Sequence, residues 1–101
     1  VPTFELIVPI TFGDSPLDQV DAEAFMTLEE KLMDYFGSFT SQTVEGGWAN
    51  PETGERVRNQ SVKYTCTNDE LDPQTFNEYA QGIAEAVKSY WRQDQVFYSV
   101  T

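Results

Sequence analysis

Residues 43–62 read TVEGGWANPETGERVRNQSV. Two β-rich runs flank NPETGE, a cluster of turn-forming residues, so the stretch reads as a hairpin. It lies between two segments of helical periodicity. A hairpin in that place joins two strand–helix–strand halves and decides the architecture of the chain.

Upstream, residues 3–12, TFELIVPITF, alternate with a period of two. Phe4, Leu6, Val8, Ile10 and Phe12 share one face, and Thr3, Glu5, Ile7, Pro9 and Thr11 the other. Pro9 has no N–H and belongs at a strand end, a bulge or an unpaired side. The linker GDSPLDQ leads to a helix whose cap is Asp21 or Ser15. Phe25, Leu28, Leu32, Tyr35 and Phe36 form its apolar stripe. Glu23, Glu29, Glu30 and Asp34 lie off that stripe and read as a solvated face. Gly37 suits a left-handed C-terminal cap. The next strand runs through SFTSQTVEGGWA, with Gly46-Gly47 marking a bulge or sharp twist near its end.

Downstream, RVRNQSVKYTCT returns as a strand with Val62, Tyr64 and Cys66 on one face. Asp72 caps a second helix with Pro73 in its first turn. Phe76, Ala80, Ile83, Val87, Tyr90 and Trp91 line that helix, and Gly82 inside it is read as a close approach to the sheet. QVFYSV closes the chain with Val96, Tyr98 and Val100 together. The order predicts one domain over residues 1–101. Its class is α+β: a ferredoxin-like βαββαβ fold, a four-stranded antiparallel sheet with two helices on one face. Ile7 and Phe97 then fall on the uncovered face, which predicts a homo-oligomer through that face or through paired edges.

Composition narrows function. Seventeen acids against six bases give a net charge of -11 among 101 residues. That field opposes nucleic acid and anionic membrane surfaces. No apolar run approaches the ~18 residues of a membrane span. The opening VPTFELIVPITF has no basic n-region, so it is not read as a signal peptide, and a cytoplasmic location is expected. The absence of histidine removes His-dependent triads and the common zinc sites within one chain. No cofactor is expected. The single cysteine, Cys66, reads as a buried small hydrophobe. Asn68, Asp69, Glu70 and Asp72 lack the spacing of a calcium loop.

The hairpin carries the candidate site. Arg56, Arg58 and Gln60 fall on one side of the returning arm, in register with Val62, Tyr64 and Cys66. Arg56 and Arg58 offer planar forks for carboxylate or phosphate, and Trp48 offers a surface beside them. Ion pairing with Glu45, Glu52 or Glu55 is the competing reading of both arginines. Trp48, Arg56, Arg58 and Gln60 are therefore the expected contacts to a protein partner or a small anionic ligand.

Phe36, Gly37, Phe39 and Thr40, then Gly46 and Trp48, then Arg58 and Ser61, then Gln93, Asp94 and Val96 together resemble a family of small bacterial domains of unknown function. That resemblance implies no activity. More loosely the chain resembles the ferredoxin-like superfamily of PII-like signalling trimers, ACT-type ligand sensors and dimeric α+β barrels. The PII-like trimers place a loop where NPETGE stands, but their glycine-rich basic nucleotide segments are not recognisable here. The expectation is a non-enzymatic regulatory or interaction module, binding through the hairpin and open sheet face. The alternative is a small dimeric α+β-barrel enzyme or ligand sensor with a pocket of Tyr, Arg and carboxylates.

Overall fold

The alternation of the first segment is realised as burial. In the computed structural model, strand β1 (Thr3–Pro9) buries Phe4, Leu6 and Val8 and leaves the intervening residues partly exposed. The structure describes residues 1–11, 19–93 and 95–101, and of Trp48 and Val57 only the backbone. Phe12, Ser15 and Asp94, named in the sequence reading, lie outside that set. The remaining elements are α1 (Ala22–Phe36), β2 (Thr40–Ala49), β3 (Arg56–Thr67), α2 (Pro73–Tyr90) and β4 (Phe97–Val100). The strands form one sheet in the order β2-β3-β1-β4, every pair antiparallel, which is the ferredoxin-like arrangement.

Both helices are capped as their sequences require. The Asp21 carboxylate accepts from the Ala24 amide at 2.9 Å, and Asp72 from the Thr75 amide at 2.8 Å. Gly37 stops α1 at φ 90, a left-handed conformation that costs glycine little, and donates its amide to Met33 at 2.8 Å. Asn68 ties the two ends of this layer together. Its side-chain amide donates to the Phe36 carbonyl at 2.9 Å, and its oxygen accepts from Glu70 at 2.8 Å.

The helices cover one face of the sheet. Leu28, Leu32 and Phe36 of α1 and Phe76, Ala80, Ile83 and Val87 of α2 are buried with Phe4, Leu6, Val8, Tyr64 and Cys66. Tilted aromatic contacts run from Phe4 through Phe36 to Phe76, at 5.6 and 4.9 Å. The reverse face is less apolar than its parity implied. Thr3, Ser61, Thr65, Gln42 and Ser99 share it with Ile7 and Phe97, and a Lys63–Glu5 ion pair at 2.9 Å crosses its centre.

Pro9 resolves within this register. Ile10 donates to Gln60 of β3, whereas Thr3 exchanges bonds with Thr101 on the other side. Odd-numbered residues of β1 therefore face β4, and β4 pairs only Phe4–Ile7 of β1. Pro9 points its missing donor past the end of that strand. Its carbonyl is met instead by the Trp91 indole N–H at 2.8 Å.

Two glycine expectations are corrected. Gly46 and Gly47 pair in unbroken register with Asn59 and Arg58, so no bulge interrupts β2. A Cβ at Gly46 meets Asn59 Oδ1, the end of an exposed side chain, at 3.0 Å. Gly82 is exposed, and a Cβ on it meets nothing within 4 Å, so it marks no close approach to the sheet.

Candidate functional site

The length of the central hairpin creates the site. β1 pairs β3 only from Ser61 to Thr67, while β2 pairs it from Arg56 to Thr65. Residues 56–60 and their β2 partners therefore project as a two-stranded ribbon. Asn50 shapes the tip. Its side-chain oxygen accepts from Glu52 at 2.9 Å, and its carbonyl accepts from Gly54 at 2.7 Å.

Arg56, Arg58, Gln60, Val62 and Tyr64 follow one another on the helix side of β3, at two-residue steps of ~7 Å. Arg58 is held by Glu45 of β2 at 3.2 Å, with both side chains well exposed. Gln60 is exposed and pairs in register with Glu45. Arg56 is exposed at the ribbon end opposite Ala49, and no ion pair engages it among the described residues. Trp48 pairs with Val57 in the same ribbon, a register position on the face opposite Arg56, Arg58 and Gln60, so the ribbon does not bring it beside the arginines as expected. The competing reading as an ion-pair residue therefore holds for Arg58.

At the base of this row the structure adds a residue that pattern reading assigned to water. Glu29 of α1 is half-buried, and its carboxylate accepts from the buried Tyr64 hydroxyl at 2.7 Å. Burial first, then the hydrogen bond and charge of Glu29, push the Tyr64 phenol far above its ordinary range. Glu30 and Asp34 are exposed, as expected. The missed signal was helical spacing: Glu29 stands four residues after Phe25 and seven before Phe36, at the margin of the apolar stripe. The result is a ledge. Its floor is the helix side of β2 and β3, and its wall is the flank of α1 bearing Glu29.

Two grooves lie elsewhere. One, of about 390 Å³, runs along the α1–α2 seam between Asp21, Glu23, Lys31 and Tyr90, over Leu28 and Val87. Two of its polar groups have structural partners: Asp21 caps α1, and the Trp91 indole holds Pro9. The other, of about 300 Å³, separates α2 from β4. Neither contains Arg56 or Arg58. Cys66 is buried, and burial pushes its thiol up to about 11. Among the described residues, no cluster of carboxylates and cysteine is placed to hold a metal ion, and no helix is long and apolar enough to cross a membrane.

No protein-family model matches the sequence, and no curated protein matches it. The resemblance built on Gly46, Trp48, Arg58 and Ser61 thus gains no support. Solved structures do match. The chain is similar to a phage SAM lyase in complex with S-methyl-5'-thioadenosine. Sequence identity is 15%, the match covers 99% of this chain and 79% of that one, and the TM-score is 0.75. A phage SAM lyase in the apo state matches at TM-score 0.67 and 16% identity, covering 99% and 78% of the two chains. A GlnK–ATP complex of B. subtilis matches at 0.58 and 14% identity, covering 99% and 80%. Such identities speak for a shared fold. They also correct the expectation of a non-enzymatic interaction module. Of these three structures, the enzyme matches nearly the whole chain at a higher TM-score than GlnK, 0.75 against 0.58. The alternative reading, an enzyme or small-ligand sensor, is the better supported.

Proposed function

We propose that the protein is a small enzyme acting on an S-adenosylmethionine-type sulfonium nucleoside, held on the ledge between the β2–β3 hairpin and α1. The observation that carries this reading is the fold similarity to the phage SAM lyase over 99% of the chain. Charge supports the same choice over a nucleoside triphosphate. A chain of net charge -11 with six basic residues attracts a cationic sulfonium and repels a polyanion.

Glu45, on the same side of the ribbon as Arg56, places a carboxylate where a sulfonium is attracted. Arg56 offers a planar fork to the carboxylate of the amino-acid arm. Gln60, on the same side of the ribbon, is the proposed contact to the nucleoside. A carboxylate oxygen of the amino-acid arm attacks the arm carbon bonded to sulfur and closes a five-membered lactone, while the C–S electron pair returns to sulfur and leaves neutral S-methyl-5'-thioadenosine. That leaving group needs no proton, so the site's main work is binding and orientation.

The test is incubation with S-adenosylmethionine, with S-methyl-5'-thioadenosine followed by chromatography and its binding by calorimetry. Turnover is expected, and Arg56→Ala should raise KM by about tenfold, the loss of one charge-assisted contact. Binding without turnover points to the small-ligand sensor. Neither binding nor turnover at millimolar ligand overturns the proposal.

A further inference from the structure

The seam between the helices is closed by aromatic rings at both ends and left open between them. Phe25 of α1 meets Trp91 edge-on at 5.5 Å at one end, and Tyr35 stacks on Tyr79 at 4.8 Å at the other. These contacts set the spacing of the two helices. Between them the seam carries Ala24 on α1 and Ala86 on α2, whose methyl groups do not fill that spacing. The result is the groove of about 390 Å³, a volume suited to a small ligand. Its floor is apolar, with Leu28 and Val87 buried beneath it.

The rim is charged at two separate points. Glu23, Thr27 and Lys31 follow one another at i, i+4 steps on α1, so they share one face. Two helical turns separate Glu23 from Lys31, about 12 Å along the axis. Both are exposed, and among the described residues no ion pair engages either. Asp21 adds a second carboxylate at the Glu23 end, where its Oδ1 caps α1. The helices run antiparallel, so the positive pole of α1 lies beside the negative pole of α2 and the two offset each other. The carboxylates therefore set the sign of that end, and Lys31 sets the sign of the other.

We infer that this groove is a second ligand site, for a zwitterion with an apolar body and the length of a dipeptide. The ligand's ammonium lies at Asp21 and Glu23, its body over Leu28 and Val87, and its carboxylate at Lys31. The length follows from the helix. Side chains lean toward a helix N-terminus, both here in the same direction, so the charged heads keep roughly the separation of their backbones. A charge-assisted hydrogen bond of about 2.8 Å at each end leaves about 6–7 Å between the ligand's charges. An extended dipeptide spans about 7 Å. A single amino acid is too short to reach both ends, and a simple amine offers nothing to Lys31. Glu29 stands about 200° around α1 from Thr27, on the flank that faces the ledge, so the two sites are separate.

The test depends neither on turnover nor on the ligand of the ledge. Calorimetry with leucyl-leucine should show saturable binding at or below about 1 mM. N-acetyl-leucyl-leucine lacks the ammonium, and leucyl-leucine amide lacks the carboxylate. Each should bind about tenfold more weakly, the loss of one charged contact. Lys31→Gln should remove the penalty for the amide, and Glu23→Gln should shrink that for the acetylated form. Ala86→Leu, at an exposed position of α2, fills the groove and should abolish binding. Should that variant fail to fold, the two rim variants, both at exposed positions, carry the test. Saturating S-methyl-5'-thioadenosine should leave the dipeptide bound. No binding at millimolar leucyl-leucine, equal binding of both capped forms, or binding that survives Ala86→Leu overturns the inference. Displacement by S-methyl-5'-thioadenosine puts the dipeptide on the ledge and overturns it as well.

Discussion

The Tyr64 hydroxyl of β3 donates to the Glu29 carboxylate of α1 at 2.7 Å. It fixes the flank of α1 over the base of the hairpin. Tyr64→Phe leaves a half-buried carboxylate without its donor and should cost about 1–2 kcal/mol. Glu29→Gln retains a carbonyl acceptor and should cost less. Urea midpoints of the two variants and their double mutant measure the coupling. Where the ledge is the working site, both also depress turnover beyond any change in stability.

Alkaline pH should unfold the protein early. Tyr64 and Cys66 keep their protons in the native state, the thiol up to about 11. Their ordinary values are 10.0 and 9.0, so the unfolded chain releases those protons first. Above pH 9 the unfolded state therefore binds fewer protons, and stability falls as pH rises. Urea midpoints should decline from pH 9 past 11. Cys66→Ala and Tyr64→Phe each flatten part of that decline. Alkylation of Cys66 should be slow until denaturant is added.

Trp91 substitutes for the strand that β4 is too short to provide. Trp91→Phe strands the Pro9 carbonyl and removes part of a buried ring that also meets Phe25 edge-on at 5.5 Å. About 2–4 kcal/mol should be lost. A fall in the thermal midpoint by several degrees is the expected reading.

Gly82→Ala should stabilise. The position is exposed inside α2, and a Cβ meets no atom within 4 Å. The gain should be about 0.5–1 kcal/mol, from helix propensity alone. An unchanged or lowered thermal midpoint contradicts the exposed placement.

Arg58→Ala should change stability by less than about 0.5 kcal/mol, since its pair with Glu45 is exposed and water-screened. Any large loss of ligand affinity in that variant then reports contact rather than unfolding.

The alternation of Phe4, Leu6 and Val8, the caps at Asp21 and Asp72, the left-handed stop at Gly37 and the hairpin at NPETGE were determined by the sequence itself. Each depends on neighbours within a few residues, where steric limits and hydrogen-bond reach are local. Tertiary structure decided the rest. Glu29 looked solvated because a helical pattern shows only which side is apolar. Whether its margin meets a phenol depends on a strand 35 residues away. Pro9 looked like a defect until its register placed it beyond β4, with Trp91 82 residues distant on its carbonyl. Gly46-Gly47 looked like a bulge, but both residues pair in unbroken register with Asn59 and Arg58 of the opposite strand. In each case the deciding partner is remote in the chain, and only folding brings it near.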